Sequence, residues 1–384
     1  MNCNRLRVEA KAGRKSIFPR LSVADCSGLL LSWPIPRFLG FPLDEFSERI
    51  AEERVQFSAL DGYQLGGILY KPKDPLGHRH VAIFNTGGGI AAIRYRRFAR
   101  FMASSGVPIL TYDYRGIGES RPLRMVGFSA VIEDWTEHDC GGAIAWLRSR
   151  YHGAEMIGIG HSVGSLLFGG APTASELTRF VMICPHTGYF GDYRAGYRLP
   201  MAVLWHGIMP ALTRLFGFFP ARLFGLGDDI PAGIALQWAA RKTPQLRPEA
   251  TDPAAMRGQV AIARCIAIRK RALLLTVRDD AFATEAGARR LLSNFPNLRA
   301  ERWLVSPADA GVRRLGHFGV FRVGARSFVW PRLLAYIVHD RSPLASPVAQ
   351  ALHQDRTRPL SVAVAGHADN SHSSDNEITD DAAS

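Results

Sequence analysis

Short apolar segments that alternate with helical segments constrain the fold of this chain more than any other feature. They are His80–Phe84, Val107–Tyr112, Met156–Ile159, Phe180–Cys184, Ala272–Val277 and Ala300–Val305. Strands that are apolar on both faces are typical of a parallel sheet covered by helices on its two sides. The alternation therefore predicts an α/β fold.

The alternation also suggests how the chain is divided. We predict that residues 51–188 and 268–340 form one α/β core. Residues 189–267 break the rhythm with many aromatic and proline residues, which indicates a helical lid inserted over the sheet. We expect residues 1–50 to be a poorly ordered N-terminal extension and residues 341–384, which are mostly small and polar towards the end, to be a disordered tail.

Composition narrows the class of protein. The net charge is +13, but the arginine excess is spread evenly and forms no basic run interleaved with aromatics, so no nucleic-acid partner is expected. The five cysteines are scattered without a C-x-x-C pair, which argues against a disulfide framework or a zinc site. The uncharged run Met156–Ser175 contains five glycines, a proline and a histidine, so we predict no membrane insertion. No signal peptide is evident, and a cytoplasmic location is expected.

The segment Gly160-His161-Ser162-Val163-Gly164 directly follows an apolar strand and precedes a helix. This G-x-S-x-G pattern is the nucleophile elbow, in which a tight turn strains the serine backbone and lifts its hydroxyl out of the sheet. Small residues are needed two positions to either side. The pattern therefore predicts Ser162 as a nucleophile.

A serine nucleophile needs a base, and the chain order in folds with this elbow is serine, acid, histidine. His317 follows the last apolar strand between two glycines and fits this order. Asp279 and Asp280 follow the preceding strand; we prefer Asp280 and keep Asp279 open, while Asp309 comes too late. The other histidines near these segments fit less well by position: His138, His161, His186 and His206.

Acyl transfer also needs two N–H donors for the oxyanion. We predict the backbone amide of Val163 as one donor. The other is Thr86 or Gly87, since Gly87-Gly88-Gly89 allows the backbone to approach a ligand closely. The dense segment Tyr112–Ser120 is interpreted as structural, a strand end and turn tied by Asp113 and Arg115.

The chain resembles the α/β-hydrolase superfamily, and more closely its serine-aminopeptidase and monoacylglycerol-lipase-like branch. Leu60-Asp61-Gly62, Asp113–Ser120, Gly160–Gly164 and Gly316-His317-Phe318-Gly319 carry the resemblance. Within that branch it is similar to a bacterial group of uncharacterised hydrolases. The resemblance implies a mostly parallel eight-stranded sheet covered by helices on both faces, an inserted helical lid and a Ser162–Asp280–His317 triad. Ser165 and the Thr86–Gly89 loop depart from the pattern of relatives.

These features predict a serine hydrolase that cleaves a carboxylester, thioester or amide through an acyl-enzyme, without a metal or cofactor. The aromatic lid favours a small-molecule substrate with an apolar acyl or aryl group. Candidate substrate-binding residues are Phe190, Trp205 and Trp238. The alternatives are a non-catalytic ligand-binding protein that keeps the fold and, less favoured, a lid that docks on membrane lipids.

Overall fold

The computed structural model describes residues 46, 48–74, 79–242 and 253–344, with side chains of the last range from residue 256 on. Almost all of the predicted N-terminal extension and C-terminal tail lie outside these residues. The division into core, lid, extension and tail therefore stays a prediction.

Eight strands form one sheet in the order β1-β2-β4-β3-β5-β6-β9-β10. Their bounds are β1 Ile50–Ser58, β2 Gln64–Pro72, β3 His80–Asn85, β4 Ile109–Tyr112, β5 Glu155–His161, β6 Leu177–Ile183, β9 Arg271–Val277 and β10 Arg299–Val305. Only β2 runs antiparallel to its neighbours; from β4 to β10 every described pairing is parallel. This confirms the predicted mostly parallel sheet.

Helices cover both faces of the sheet. The α-helices are α1 Arg96–Ser104, α2 Gly141–Arg150, α3 Gly164–Gly170, α4 Ala195–Val203, α5 Met209–Phe216, α6 Ala232–Ala240, α7 Pro253–Ala267, α8 Glu285–Leu292 and α9 Val329–His339. Successive residues of one strand enter different cores: Ile83 belongs to the buried cluster that includes residues of α2 and α3, and Phe84 to the cluster that includes residues of α1 and α9. The central strands are apolar on both faces because both faces of the sheet are covered.

The stretch between β6 and β9 holds α4 to α7, with a π-helical segment Leu204–Ile208 joining α4 to α5. It also contains a short antiparallel pair, β7 Phe218–Phe219 and β8 Ile230–Pro231, which the sequence did not predict. Among the described residues, none of the helices has both the length and the apolar character that crossing a membrane requires.

Arg115 ties the turn after β4 to its surroundings. Its guanidinium bonds Asp139 and Asp61, each at 2.7 Å, and Asp139 is fully buried. Asp113 accepts hydrogen bonds from the backbone amides of Ala92 at 2.6 Å and Glu119 at 2.9 Å. These side chains are used within the fold, in line with the structural interpretation of this segment.

Candidate active site

Ser162 lies in the turn between β5 and α3 with φ +58°, in the left-handed region that side chains rarely adopt. The tightness of the turn explains the flanking glycines. A Cβ at Gly160 would lie 2.5 Å from the Cα of Ser165, and one at Gly164 would lie 2.2 Å from the carbonyl oxygen of Thr86. Ser165 is accommodated because its hydroxyl donates to the Gly160 carbonyl at 2.9 Å. The local geometry is that of a nucleophile elbow.

The two neighbouring aspartates after β9 bind different parts of the His317 loop. Asp280 accepts at 2.7 Å from Nδ1 of His317. Asp279 instead accepts from the backbone amides of Leu315 and Gly316 at 3.1 and 3.0 Å. Asp309 caps its own turn through Ser306. The geometry therefore places Asp280 on the imidazole and Asp279 on the loop that carries it.

Asp280 is arranged to remain a carboxylate. Burial by itself would raise its pKa, but the His317 imidazole and the backbone amides of Phe282 and Ala283 outweigh burial and hold the pKa well below its usual range. Because the charged carboxylate must be offered a proton, Nδ1 of His317 is the protonated nitrogen. In the neutral form of the ring, Nε2 of His317 is then an acceptor, which is the tautomer that a general base requires.

The side-chain partner of Ser162 is not His317 in this structure. Oγ of Ser162 lies 2.8 Å from Nε2 of His186, on the loop after β6. Among the described residues no hydrogen bond joins Ser162 to His317, whose ring centroid lies 5.4 Å from that of His186. Sequence reasoning set His186 aside because it precedes the predicted lid. Its position could have indicated the contact, because His186 follows a strand adjacent to β5 and the carboxyl ends of neighbouring parallel strands lie close together.

The hydrogen bonds of His186 determine its role. Its Nδ1 accepts from the backbone amide of Gly188 at 2.8 Å, so the single proton of the neutral ring lies on Nε2. Burial, followed by the nearby His317, lowers the pKa of His186 to about 3, which keeps the ring neutral near pH 7. His186 therefore donates to Ser162 and has no free nitrogen with which to take the serine proton.

Thr86 and Gly87, the two candidates for the second oxyanion donor, differ in whether their backbone amide is already hydrogen-bonded. The Gly87 amide donates to the Tyr95 hydroxyl at 3.1 Å. Within the described part of the chain, the amides of Thr86 and Val163 have no hydrogen-bond partner, and the Thr86 backbone lies against the elbow at Gly164. The structure therefore favours Thr86 over Gly87 for pairing with Val163.

His161 connects two loops of the site. Its Nδ1 lies 2.8 Å from the Tyr95 hydroxyl, and its Nε2 lies 3.0 Å from the carbonyl oxygen of His317. His161, Cys184 and His317 offer ligand atoms within 4.8 Å of one another. However, both nitrogens of His161 are already bonded, and burial raises the pKa of the Cys184 thiol, which disfavours the metal-binding thiolate. We interpret this cluster as support for the His317 loop.

A cavity of about 570 Å³ opens beside the elbow at Val163. Trp238 forms part of its wall and lies against Gly88 and Gly188, where added Cβ atoms would lie 2.9 and 3.0 Å from the indole. Trp205 packs behind it with a ring-centroid distance of 5.3 Å, while Phe190 contacts His206 at 5.1 Å. Of the three predicted substrate-binding aromatics, Trp238 is the one that borders this cavity.

Comparisons with known proteins agree with this architecture. A family profile described as serine aminopeptidase, S33, matches residues 77–263. Polyketide transferase claH from Penicillium crustosum is 29% identical over 89 residues, which cover 22% of this chain and 29% of that protein. The match therefore spans less than a third of that relative.

Solved structures are similar to this chain. The structure of DcsB in complex with its substrate analogue superposes with a TM-score of 0.51 at 14% identity, covering 76% of this chain and all of DcsB. An esterase from Pyrococcus furiosus has a TM-score of 0.49 at 17% identity, covering 78% and 94% of the two chains. The sheet order, the elbow and the superposition with DcsB show that the chain has the α/β-hydrolase fold, and the matched profile makes part of it similar to serine aminopeptidases.

Proposed function

We propose that the protein hydrolyses a carboxylester of a small, largely apolar substrate through an acyl-enzyme on Ser162. The observation that carries the proposal is the 2.7 Å hydrogen bond between Asp280 and Nδ1 of His317, beside a serine held at φ +58°. This bond leaves Nε2 of His317 as the free basic nitrogen next to the elbow. The cavity that begins at Val163 supplies space for an apolar arm of the substrate.

The proposed reaction has two steps. Oγ of Ser162 attacks the ester carbonyl carbon while its proton passes to Nε2 of His317, and the amides of Val163 and Thr86 bind the oxyanion. The alcohol leaves with the proton from His317. Water then attacks the acyl-enzyme with His317 again as base, which releases the acid and restores Ser162. Asp280 stabilises the imidazolium in both steps.

His186 has a separate role in this proposal. Its Nε2–H donates to Oγ of Ser162, which orients the oxygen and leaves the hydroxyl proton free to point towards His317. We regard His186 as a positioning residue for the nucleophile. The proposed base is His317 because only that ring has an unprotonated Nε2.

Active-site labelling tests the proposal. A fluorophosphonate probe should label the wild type and the variant Ser175→Ala, which alters an exposed serine, but not Ser162→Ala. Hydrolysis of p-nitrophenyl esters should be lost with the labelling. If folded wild-type protein neither reacts with the probe nor cleaves any ester of a chain-length series, the non-catalytic ligand-binding alternative is the better description.

A further inference from the structure

Arg241, directly after α6, borders the cavity beside the elbow, and its guanidinium is only partly paired. Its Nη1 donates to the carbonyl oxygen of Thr187. Its Nε and Nη2 are buried and have no hydrogen-bond partner among the described residues. A buried donor without a partner destabilises the protein, and more so when it is charged. A buried cation with two free donors is suited to bind an anion.

Two acidic side chains of this region, Asp192 and Glu133, already have other hydrogen-bond partners. Asp192, which contributes to the electrostatic environment of Arg241, is held by Arg290 through two hydrogen bonds of 2.5 and 2.9 Å. Glu133, which also borders the cavity, accepts from Gln237 at 2.8 Å. Burial lowers the pKa of Arg241 to about 10, so the side chain stays charged near pH 7. The described residues thus leave a cationic group facing the cavity without an anion.

The geometry of the free donors indicates which kind of anion they can bind. Nε and Nη2 lie on the same edge of a guanidinium and present two parallel N–H bonds, the arrangement that a carboxylate fills with both oxygens. The indole Nε1 of Trp238 and the hydroxyl of Thr187, on the same cavity wall, are also buried without a partner among the described residues. The remaining wall is largely apolar, with Leu166 and Ile262 among its residues.

We propose that this cavity binds the carboxylate end of the substrate's acyl chain, with Arg241 as the residue that recognises it. The cavity joins Val163, the proposed oxyanion donor, to Arg241, so the apolar part of the chain lies between the scissile ester and the carboxylate. The substrate class is then a monoester of a dicarboxylic acid. This inference rests on the proposed ester hydrolysis and specifies which class of ester is the substrate.

The test compares two substrates that differ only in the charge at the far end. Mono-p-nitrophenyl suberate carries the carboxylate, and its methyl ester lacks it; the chain is long enough to make attack by its own carboxylate slow. For the wild type we expect kcat/KM to favour the acid by roughly 10- to 100-fold, the value of a charged hydrogen-bonded pair. Arg241→Gln should bring the ratio close to one, and Arg241→Lys should restore part of it.

Lys242 also borders the cavity, but its side chain is exposed, so it provides the matched test of general charge attraction. Lys242→Gln should keep the preference for the acid, and an equal loss in this variant would overturn the assignment to Arg241 in favour of general charge attraction. Retention of the preference in folded Arg241→Gln would also overturn it. Because the methyl ester should still be cleaved and the probe should still label Ser162 in Arg241→Gln, failure of this inference is distinguishable from failure of the proposed hydrolase function.

A binding measurement covers the case in which neither ester is cleaved. Calorimetry on Ser162→Ala would compare monomethyl suberate with dimethyl suberate. We expect the acid to bind at least 10-fold more tightly, and this difference to disappear in Ser162→Ala/Arg241→Gln. Equal affinities for the acid and the diester in Ser162→Ala would refute the carboxylate site without reference to catalysis.

Discussion

Replacing each of the two imidazoles beside Ser162 with phenylalanine should have effects of very different size. His317→Phe removes the proposed general base, a contribution of about 10²- to 10⁴-fold. His186→Phe removes one neutral hydrogen bond to Oγ, worth about 1 kcal/mol, or roughly 5-fold in rate. The same substitution at both positions keeps ring shape and volume similar, so the comparison isolates the nitrogens.

The assay is kcat/KM on a p-nitrophenyl ester, together with the rate of labelling by a fluorophosphonate probe. His317→Phe should abolish both within detection, and His186→Phe should reduce both by less than about 10-fold. The reverse order of effects would refute the tautomer argument, because it would mean that the imidazole in contact with Ser162 is the base. Thermal melting of each variant shows whether a loss of activity reflects unfolding.

The pH dependence of stability gives a second readout for His186. Its pKa is about 3 in the folded protein and about 6.5 when unfolded. Between these values the unfolded state binds a proton that the folded state does not, so stability falls as the pH falls through this window. From pH 7 to pH 5 the loss from this one group amounts to about 2 kcal/mol.

Urea unfolding at the two pH values would measure this loss as the difference between the wild type and His186→Phe. Asp113 acts in the opposite direction, because burial raises its pKa to about 6 and the folded state takes up a proton first on acidification. Its contribution is common to both proteins and cancels in the difference. An identical loss of stability in the two proteins would show that His186 is not held neutral.

Three further substitutions test other parts of the site and fold. Asp280→Asn should lower kcat by roughly 10⁴-fold with little change in thermal melting, because an amide favours the wrong imidazole tautomer; near-normal turnover would count against the triad. Gly164→Ala should destabilise the protein by about 1 to 3 kcal/mol or more through its backbone clash, whereas Gly196→Ala, in open space on a helix, should be neutral or stabilising in the same urea assay. Arg115→Met should cost about 3 to 5 kcal/mol because it leaves Asp139 buried without its cation, and a cost below 1 kcal/mol would contradict the importance of that pair.

The sequence predicted those parts of the protein that follow from local pattern and chain order. Apolar runs predicted six of the eight strands, β3 to β6, β9 and β10, to within a few residues, because most of these strands are buried on both faces. The elbow was predictable because two glycines and a strained serine leave few other local structures. Chain order predicted that His317 lies beside an aspartate from the preceding strand end, since these two strands are neighbours in the sheet, but it left Asp279 open beside the preferred Asp280.

The contacts of His186 and Arg241 depended on long-range geometry and were not predicted. His186 reaches Ser162 because the chain turns at Cys184, with φ +47°, and again at Gly188, with φ +79°. Nothing in the sequence indicates that Cys184 adopts a left-handed backbone conformation. The direction of the His186 side chain therefore could not be predicted from the sequence. Arg241 is one of many arginines, and only the burial of its guanidinium beside the cavity distinguishes it.

Proximity alone would assign His186 as the base, whereas the hydrogen bonds of the two rings favour His317, the base that we propose. The imidazole that touches Ser162 has its second nitrogen committed to accepting a backbone amide proton, and so it donates to the serine. The imidazole that does not touch Ser162 has its second nitrogen committed to donating to a carboxylate, and so it retains an acceptor. In each ring, the hydrogen-bond partner of Nδ1 thus determines whether Nε2 is a donor or an acceptor. In the proposed mechanism the Ser162 proton passes to His317, because His186 donates to the oxygen and leaves that proton free.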